Sequence, residues 1–220
     1  MKHVAVDCET TGLSPSDGDR VIQIAAVELV NLKFTGRTFL SYVNPEGREI
    51  KYGSYQVHKI STDRLVDAPL YGQVHPALME FIGDGQLVIQ NKGFDLGFLR
   101  SEAARFGLQF PYDAIDTIDI ARQKWPGAQV GLDALCKRLQ IPKDAKSLTE
   151  FCRSISIDRD VQIKDRSEEH NALVDCLLLG QVYIAMMSET EFDLSRSSAG
   201  IKKPWPFAQQ RLDIAPLNFG

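Results

Sequence analysis

Two carboxylates lie two positions apart near the start of the chain. Asp7 and Glu9 fall in HVAVDCET, which reads as a short strand running into a turn at TTGLSPSDGD. Side chains alternate across a strand, so both project from one face, about 7 Å apart along the chain. His3 shares that face, and Val4, Val6 and Cys8 take the other and pack inward. Like charges on one face of a buried strand repel and are costly to desolvate. A divalent cation between them removes that cost. The plainer alternative is a pair of solvated carboxylates at a strand end, since a lone D-x-E triplet often arises by chance.

Asp175 is more demanding. It sits in HNALVDCLLLGQVYIAMM with Ala172 and Leu173 one turn back and Leu178 and Leu179 one turn on. An ionised carboxylate among such neighbours needs a partner, either a cation or an Arg or Lys from elsewhere in the chain. His170 precedes it by five residues, about 140° around a helix. The two converge if His170 occupies a frayed first turn or the loop before it, and a histidine beside a carboxylate cluster is a candidate base. Asp95, in QNKGFDLGF, falls at or near a helix N-terminus, where the dipole favours its ionised form. Taken alone, Asp95 fits an ordinary role as a helix cap or first-turn acid better.

The elements that must position these groups can be read from patterning. VIQIAAVELV and FTGRTFLSYVNP are β-branched or aromatic-rich, and the NLK between them fits a hairpin connection. A loop follows, then PLYGQVHPALMEFIGD, whose Leu70, Val74, Leu78, Phe81 and Ile82 recur at helical spacing. QLVIQN reads as a short buried strand, 94–106 as a helix and 114–117 as another short strand. Helical pieces follow at IDIARQKW, GLDALCKRL and SLTEFCRS, and the clearest helix spans 169–187. Strand-rich at the front and mixed afterwards, the order predicts an α/β domain with a mixed sheet.

At 220 residues with 44% apolar content, the chain has enough material for one well-buried core or two small domains. The net charge, 25 basic against 29 acidic residues or −4, is wrong for a passive nucleic-acid coat protein. It leaves room for an enzyme that grips a short stretch of nucleic acid with help from bound cations. No apolar run approaches the roughly 18 residues of a membrane span. The N-terminus turns polar at Asp7, unlike a signal peptide. Cys8, Cys136, Cys152 and Cys176 are scattered, which predicts free thiols in a reducing cytoplasm rather than a zinc site.

Taken together, DCETTG, NKGFDLGF and HNALVD resemble, in order and separation, the three motifs of the DnaQ-like exonucleases of the DEDD superfamily, in the subgroup with a catalytic histidine. The resemblance runs from about residue 2 to 187 and includes the family-like segments VIQIAAVELV, VHKIS and GLDALCKRL. In style it is nearest the proofreading subunits of bacterial replicative polymerases. It implies a ribonuclease H-like fold, a five-stranded mixed sheet with helices on both sides. It also implies two Mg²⁺ or Mn²⁺ ions held by Asp7, Glu9, Asp95 and Asp175, with His170 as the base. Thr10, Thr11 and Gly12 are then expected at the terminal nucleotide. The resemblance also implies His58 of the VH segment and Asn91 and Phe94 of the second motif as further substrate contacts. The implied reaction is hydrolysis of the 3′-terminal phosphodiester of single-stranded or frayed DNA, with release of 5′-mononucleotides. Two alternatives stay open: an RNA-trimming exoribonuclease, and a catalytically silent module that binds nucleic acid or a polymerase.

Many relatives carry Glu where this chain has Gln23, and His where it has Gln90; both changes bear on support around the site rather than on the four carboxylates. The domain is expected to span 1–187, with 142–169 as an insertion that forms either a flap or a tolerated surface excursion. Residues 188–220 read as a tail. Within it, Arg196, Lys202, Lys203 and Arg211 against Asp213 give a net +3 beside Trp205 and Phe207. Such a tail suits docking to a DNA polymerase subunit, gripping a strand, or folding back on its own domain.

Overall fold

The structure is a computed structural model that describes residues 1–157 and 163–193, with side chains described through 188. β1 (Lys2–Thr10), β2 (Val21–Val30) and β3 (Lys33–Tyr42) open the fold, followed by α1 (Tyr52–His58) and α2 (Tyr71–Ile82). Then come β4 (Gln86–Ile89), α3 (Lys92–Arg105), β5 (Ala114–Asp116) and α4 (Thr117–Lys124). The described chain finishes with α5 (Leu132–Leu139), α6 (Ala145–Ser154) and α7 (Ala172–Asp193). The α/β class expected from the sequence is what forms. The strand order is β3-β2-β1-β4-β5, with β1 antiparallel to β2 and parallel to β4. The β2–β3 hairpin closes through Asn31 and Leu32, both left-handed at φ 51 and 57, as a two-residue turn matched to strand twist requires.

β1 lies at the centre of the sheet and is covered on both faces. Val4, Val6 and Cys8 join Ile24, Ala26, Leu87 and Ile89 in a core closed by α2 and α3. Ala5, on the opposite parity, joins Ala25, Val27, Leu29 and Val88 in a second core closed by α5, α6 and α7. Asp7 and Glu9 share the parity of Ala5, so alternation alone aims them at the α7 side. β2, buried on both faces, reads as the near-continuous apolar run that such strands show.

The structure refines several sequence expectations. The stretch after β3, expected to be a loop, contains α1 and a short 3₁₀ turn at Thr62–Leu65. Of the α1 residues only His58 is buried, so no periodic apolar stripe advertises the helix. Within the 142–169 segment, the described helix α6 packs on the fold. Leu148 and Cys152 of α6 enter the second core, and Phe151 meets Phe34 of β3 edge-on at 5.0 Å. Gly36 allows the same approach, because a Cβ there would sit 2.6 Å from the carbonyl oxygens of Ile155 and Ser156. The clearest helix starts at Ala172 rather than 169 and runs to Asp193, so the expected domain end at 187 falls inside a helix. Of the expected 188–220 tail, residues 188–193 continue α7, and those from 194 on lie outside the described residues.

Candidate active site

The site forms where the C-terminal end of β1 meets the first turns of two helices. Asp7 pairs with Ala25 and Glu9 with Gln23 across the sheet, and the register then slips so that Thr10 faces Val21. Such irregularities re-aim side chains at strand ends. α7 arrives from the sheet face that carries Asp7. Its first turn is fixed twice: Asn171 Oδ1 accepts from the Leu173 amide at 3.0 Å, and Gln23 Oε1 accepts from the Ala172 amide at 3.0 Å. Two otherwise orphaned donors are thereby satisfied and the helix start is held to β2. Asp175 stands on the fourth residue of α7, within reach of the positive end of the dipole. Asp7, Glu9 and Asp175 each offer an oxygen within 4.8 Å of the others, close enough to share one cation.

Asp95 occupies the corresponding fourth position of α3, which approaches from the other face. It is buried, and its Oδ1 accepts from the Cys8 amide at 3.0 Å, between Asp7 and Glu9 in sequence. Asp95 therefore borders the three-carboxylate group but is not within its 4.8 Å circle. His170 lies two residues ahead of α7, tied to α1 by its amide, which donates to Val57 O at 3.0 Å. From that loop position its Nδ1 comes to 3.6 Å from Asp175 Oδ2, the convergence that a five-residue spacing within a helix would not give.

A cation from the chain also reaches the cluster. Arg166 donates from Nε to Asp175 Oδ1 at 2.5 Å and from Nη2 to Asp175 Oδ2 at 3.0 Å, and Nη1 reaches Asp133 Oδ1 at 2.8 Å. The internal ion pair weighed for Asp175 thus exists, alongside the acidic cluster. Arg166 sits in a mixed-charge stretch that gives no sign of burial. Only the need of Asp175 for a partner could have pointed to it.

Charge is out of balance here. Burial, then the neighbouring Asp175, Asp95 and Glu9, push the Asp7 carboxyl well above the usual range, against the pull of Arg166. Burial followed by Asp175 and Asp95 does the same to Glu9. Asp95 is raised to about 7, chiefly by burial and in spite of the Cys8 amide. Carboxylates that cannot all ionise together without help are the donor set a hard divalent cation suits. Burial and then Arg166 hold His170 below its ordinary value, although Asp175 opposes them, so its ring is neutral and able to take a proton at neutral pH.

Beside Glu9 opens a cavity of about 750 Å³, lined among others by Thr10, Gly12, Leu13, Lys51, His58 and Phe94. Thr10 Oγ1 donates to Gly12 O at 2.6 Å and so braces this wall. Gly12 is needed for packing, because a Cβ there would come within 2.2 Å of the Asp19 carboxylate. His58 is buried, with Nδ1 accepting from the Ile60 amide at 3.0 Å and Nε2 lacking a hydrogen-bond partner. Burial pulls its pKa down to about 4, against the Thr10 backbone. Thr11, expected beside the substrate, is instead wholly buried: its Oγ1 accepts from the Arg20 amide, and its own amide and carbonyl bond to Arg20 and Lys51. Its work is to hold the turn. Asn91 is exposed at the left-handed start of α3, and its amide donates to Asp116. Leu13, 80% exposed, and Lys51 were not singled out from sequence; neither belongs to a periodic pattern. Gln90 bridges Thr117 and Val130, joining β4 to the loop before α5.

Comparison with known proteins identifies the family and the fold. The model of the exonuclease family of the RNase T type matches residues 4–183. A DNA polymerase III subunit epsilon from Rickettsia felis is 36% identical over 191 residues, covering 84% of this chain and 74% of its own length. One from Buchnera aphidicola of Acyrthosiphon pisum is 34% identical over 219 residues, covering 96% of this chain and 83% of its own. Among solved structures, exonuclease X in complex with 5′-overhanging duplex DNA superposes with a TM-score of 0.62 at 23% identity, over 86% of this chain and 92% of its own. Exonuclease I gives 0.68 at 16% identity, over 88% and 42%. These likenesses identify the fold as ribonuclease H-like.

Proposed function

The chain belongs to the exonuclease family and is a 3′–5′ exonuclease, and from that premise we propose that it uses divalent cations to trim DNA ends for a replicative polymerase. The observation that carries the metal reading is the group formed by Asp7, Glu9 and Asp175, three carboxylates with oxygens within 4.8 Å. Asp95, turned toward Cys8 at the rim of that group, is the fourth ligand in a two-ion arrangement. Mg²⁺ suits this oxygen-only set, and Mn²⁺ substitutes for it. When bound, the ions supply positive charge that acidifies the attacking water and offsets charge on the departing 3′ oxygen.

The chain's own residues do the rest. His170, with Nδ1 turned to Asp175, takes the proton of the attacking water on Nε2, and Asp175 stabilises the resulting imidazolium. The terminal nucleotide enters the cavity beside Glu9, where Leu13 and Phe94 offer apolar walls to the base. Lys51 lies on the same wall as a cation for a backbone phosphate, and Thr10 and Gly12 shape the floor. His58, neutral and with an unused Nε2, offers a hydrogen bond to the bound nucleotide.

The polymerase subunits with which the chain shares a third of its residues support DNA over RNA and a polymerase as partner. The 194–220 tail is the proposed docking segment, and cytoplasmic placement follows from that partnership. No helix among the described residues is long and apolar enough to cross a membrane. One assay tests the reading: 3′- and 5′-labelled DNA and RNA oligonucleotides, with Mg²⁺, with Mn²⁺ and with chelator. Mononucleotide release from the 3′ end of DNA, abolished by chelator, is the expected result. Cleavage from the 5′ end, cleavage in chelator, or a strong preference for RNA would refute it.

A further inference from the structure

Arg166 has more to do than fold the loop it stands on. Its side chain is 6% exposed, and its two-pronged contact occupies both oxygens of Asp175. Among the described residues, no other Lys or Arg ion-pairs with Asp7, Glu9, Asp95 or Asp175. Arg166 is itself held from behind by Asp133, which Lys143 also contacts. A carboxylate that already accepts two charge-assisted hydrogen bonds has surrendered part of the negative charge a metal ion would use. Arg166 and a divalent cation therefore draw on the same oxygens.

We propose that Arg166 is the internal counterion of the cluster: it neutralises Asp175 in the metal-free protein and yields part of that carboxylate when a divalent cation binds. This rests on the reading of Asp7, Glu9 and Asp175 as metal ligands and adds a coupling to it. Linkage makes the coupling reciprocal, so what Arg166 contributes to the metal-free fold is subtracted from metal affinity. Arg166 stands four residues before His170, and both side chains address Asp175 Oδ2. Metal loading thus changes the partner that the base shares with Arg166.

The test is calorimetric titration of the full-length chain with Mn²⁺, with thermal melting of the same samples with and without Mn²⁺. The expected result is that Arg166→Gln binds Mn²⁺ about tenfold tighter than wild type. It also melts lower than wild type without metal and recovers the difference at saturating Mn²⁺. Arg166→Lys keeps the charge but not the fork and falls between the two. Unchanged or weaker binding by Arg166→Gln would overturn the proposal and make Arg166 a residue that orients Asp175 for the metal. If Arg166→Gln folds only with Mn²⁺ present, the proposal stands. If it fails to fold even then and Arg166→Lys binds with wild-type affinity, the proposal falls. Asp7→Asn separates the two readings. Wild-type binding lost in Asp7→Asn but unaltered in Arg166→Gln removes only the counterion, whereas no Mn²⁺ binding by wild type removes both.

Discussion

Two buried charge clusters stand at the two sides of the turn after β1, and they are built on opposite rules. On one side, Arg20 grips both oxygens of Glu102 at 2.7 and 2.8 Å and reaches Glu46, while the Val21 amide donates to Glu102 as well. Next to it the Asp19 carboxylate, wholly buried, is met by Arg48 at 2.9 Å, Lys51 at 2.7 Å and the Ser14 amide. Burial alone would raise the Asp19 carboxyl, yet Lys51 and Arg48 hold it below the usual carboxylate range. On the other side, Asp7, Glu9, Asp95 and Asp175 face one arginine, and three of the four carboxyls are pushed upward. A balanced cluster stabilises the turn that carries Thr10 to Gly12. An unbalanced one is destabilised in isolation, and the proposal is that cations from outside complete it.

The largest effect expected from this contrast is on turnover. Asp7→Asn and Asp175→Asn should each lower cleavage of a 3′-labelled oligonucleotide by on the order of a thousandfold or more, since charge stabilisation in the transition state is lost. Metal-free Asp7→Asn should melt above wild type because one repelling carboxylate is gone, whereas Asp175→Asn takes the buried partner from Arg166 and should melt below it. A lower melting temperature for Asp7→Asn would mean that Asp7 belongs with the balanced kind. Glu102→Ala should do the reverse, costing about 3–5 kcal/mol in chemical denaturation by leaving Arg20 buried and unpaired. The turnover of its folded fraction should stay close to wild type.

Titration gives the next effect. The pKa of His58 falls to about 4 in the fold from the ordinary 6.5, so below pH 6.5 the unfolded chain binds the proton first. Stability should decline as pH drops from 6.5 toward 4, by ~3 kcal/mol in total from this group. His58→Asn, which keeps an acceptor for Ile60, should flatten that part of a melting-versus-pH curve; an unchanged curve would show that His58 does not titrate in the buried state. His170 is also lowered, so the acid limb of the single-turnover cleavage rate should lie below pH 6.5, with activity falling as the ring takes a proton. An acid limb above 6.5 would show that Asp175 outweighs burial and Arg166. The smallest effect belongs to Arg48→Ala, about 1 kcal/mol or less, because Lys51 still meets Asp19 and Arg48 is itself 36% exposed. A loss as large as that of Glu102→Ala would show that the two halves of the balanced cluster depend on each other.

Much of this arrangement could be read from residue order because it follows from periodicity. The alternation in β1 places Asp7 and Glu9 together, and the apolar run around Asp175 marks a buried carboxylate in need of a partner. What stayed hidden depends on contacts distant in sequence. Arg166 shows its burial only once α5 brings Asp133 and α7 brings Asp175 to it. Gln23 holds a helix start 149 positions away, and an isolated Gln in an apolar strand does not announce that partner. α1 is short and largely exposed, so its His58 could be placed by motif but not on a helix. Thr11 illustrates the converse: its neighbours Thr10 and Gly12 line the cavity, and the pairing with Arg20 turns Thr11 away from it.

The central claim is that the unbalanced cluster takes its missing charge from divalent cations. Anomalous diffraction from crystals of the full chain soaked in Mn²⁺ tests it most directly. The account predicts Mn²⁺ peaks coordinated by Asp7, Glu9 and Asp175, with Asp95 as the fourth ligand. Peaks confined to other acidic groups, with the guanidinium of Arg166 still seated on both Asp175 oxygens and nothing between Asp7 and Glu9, would contradict it.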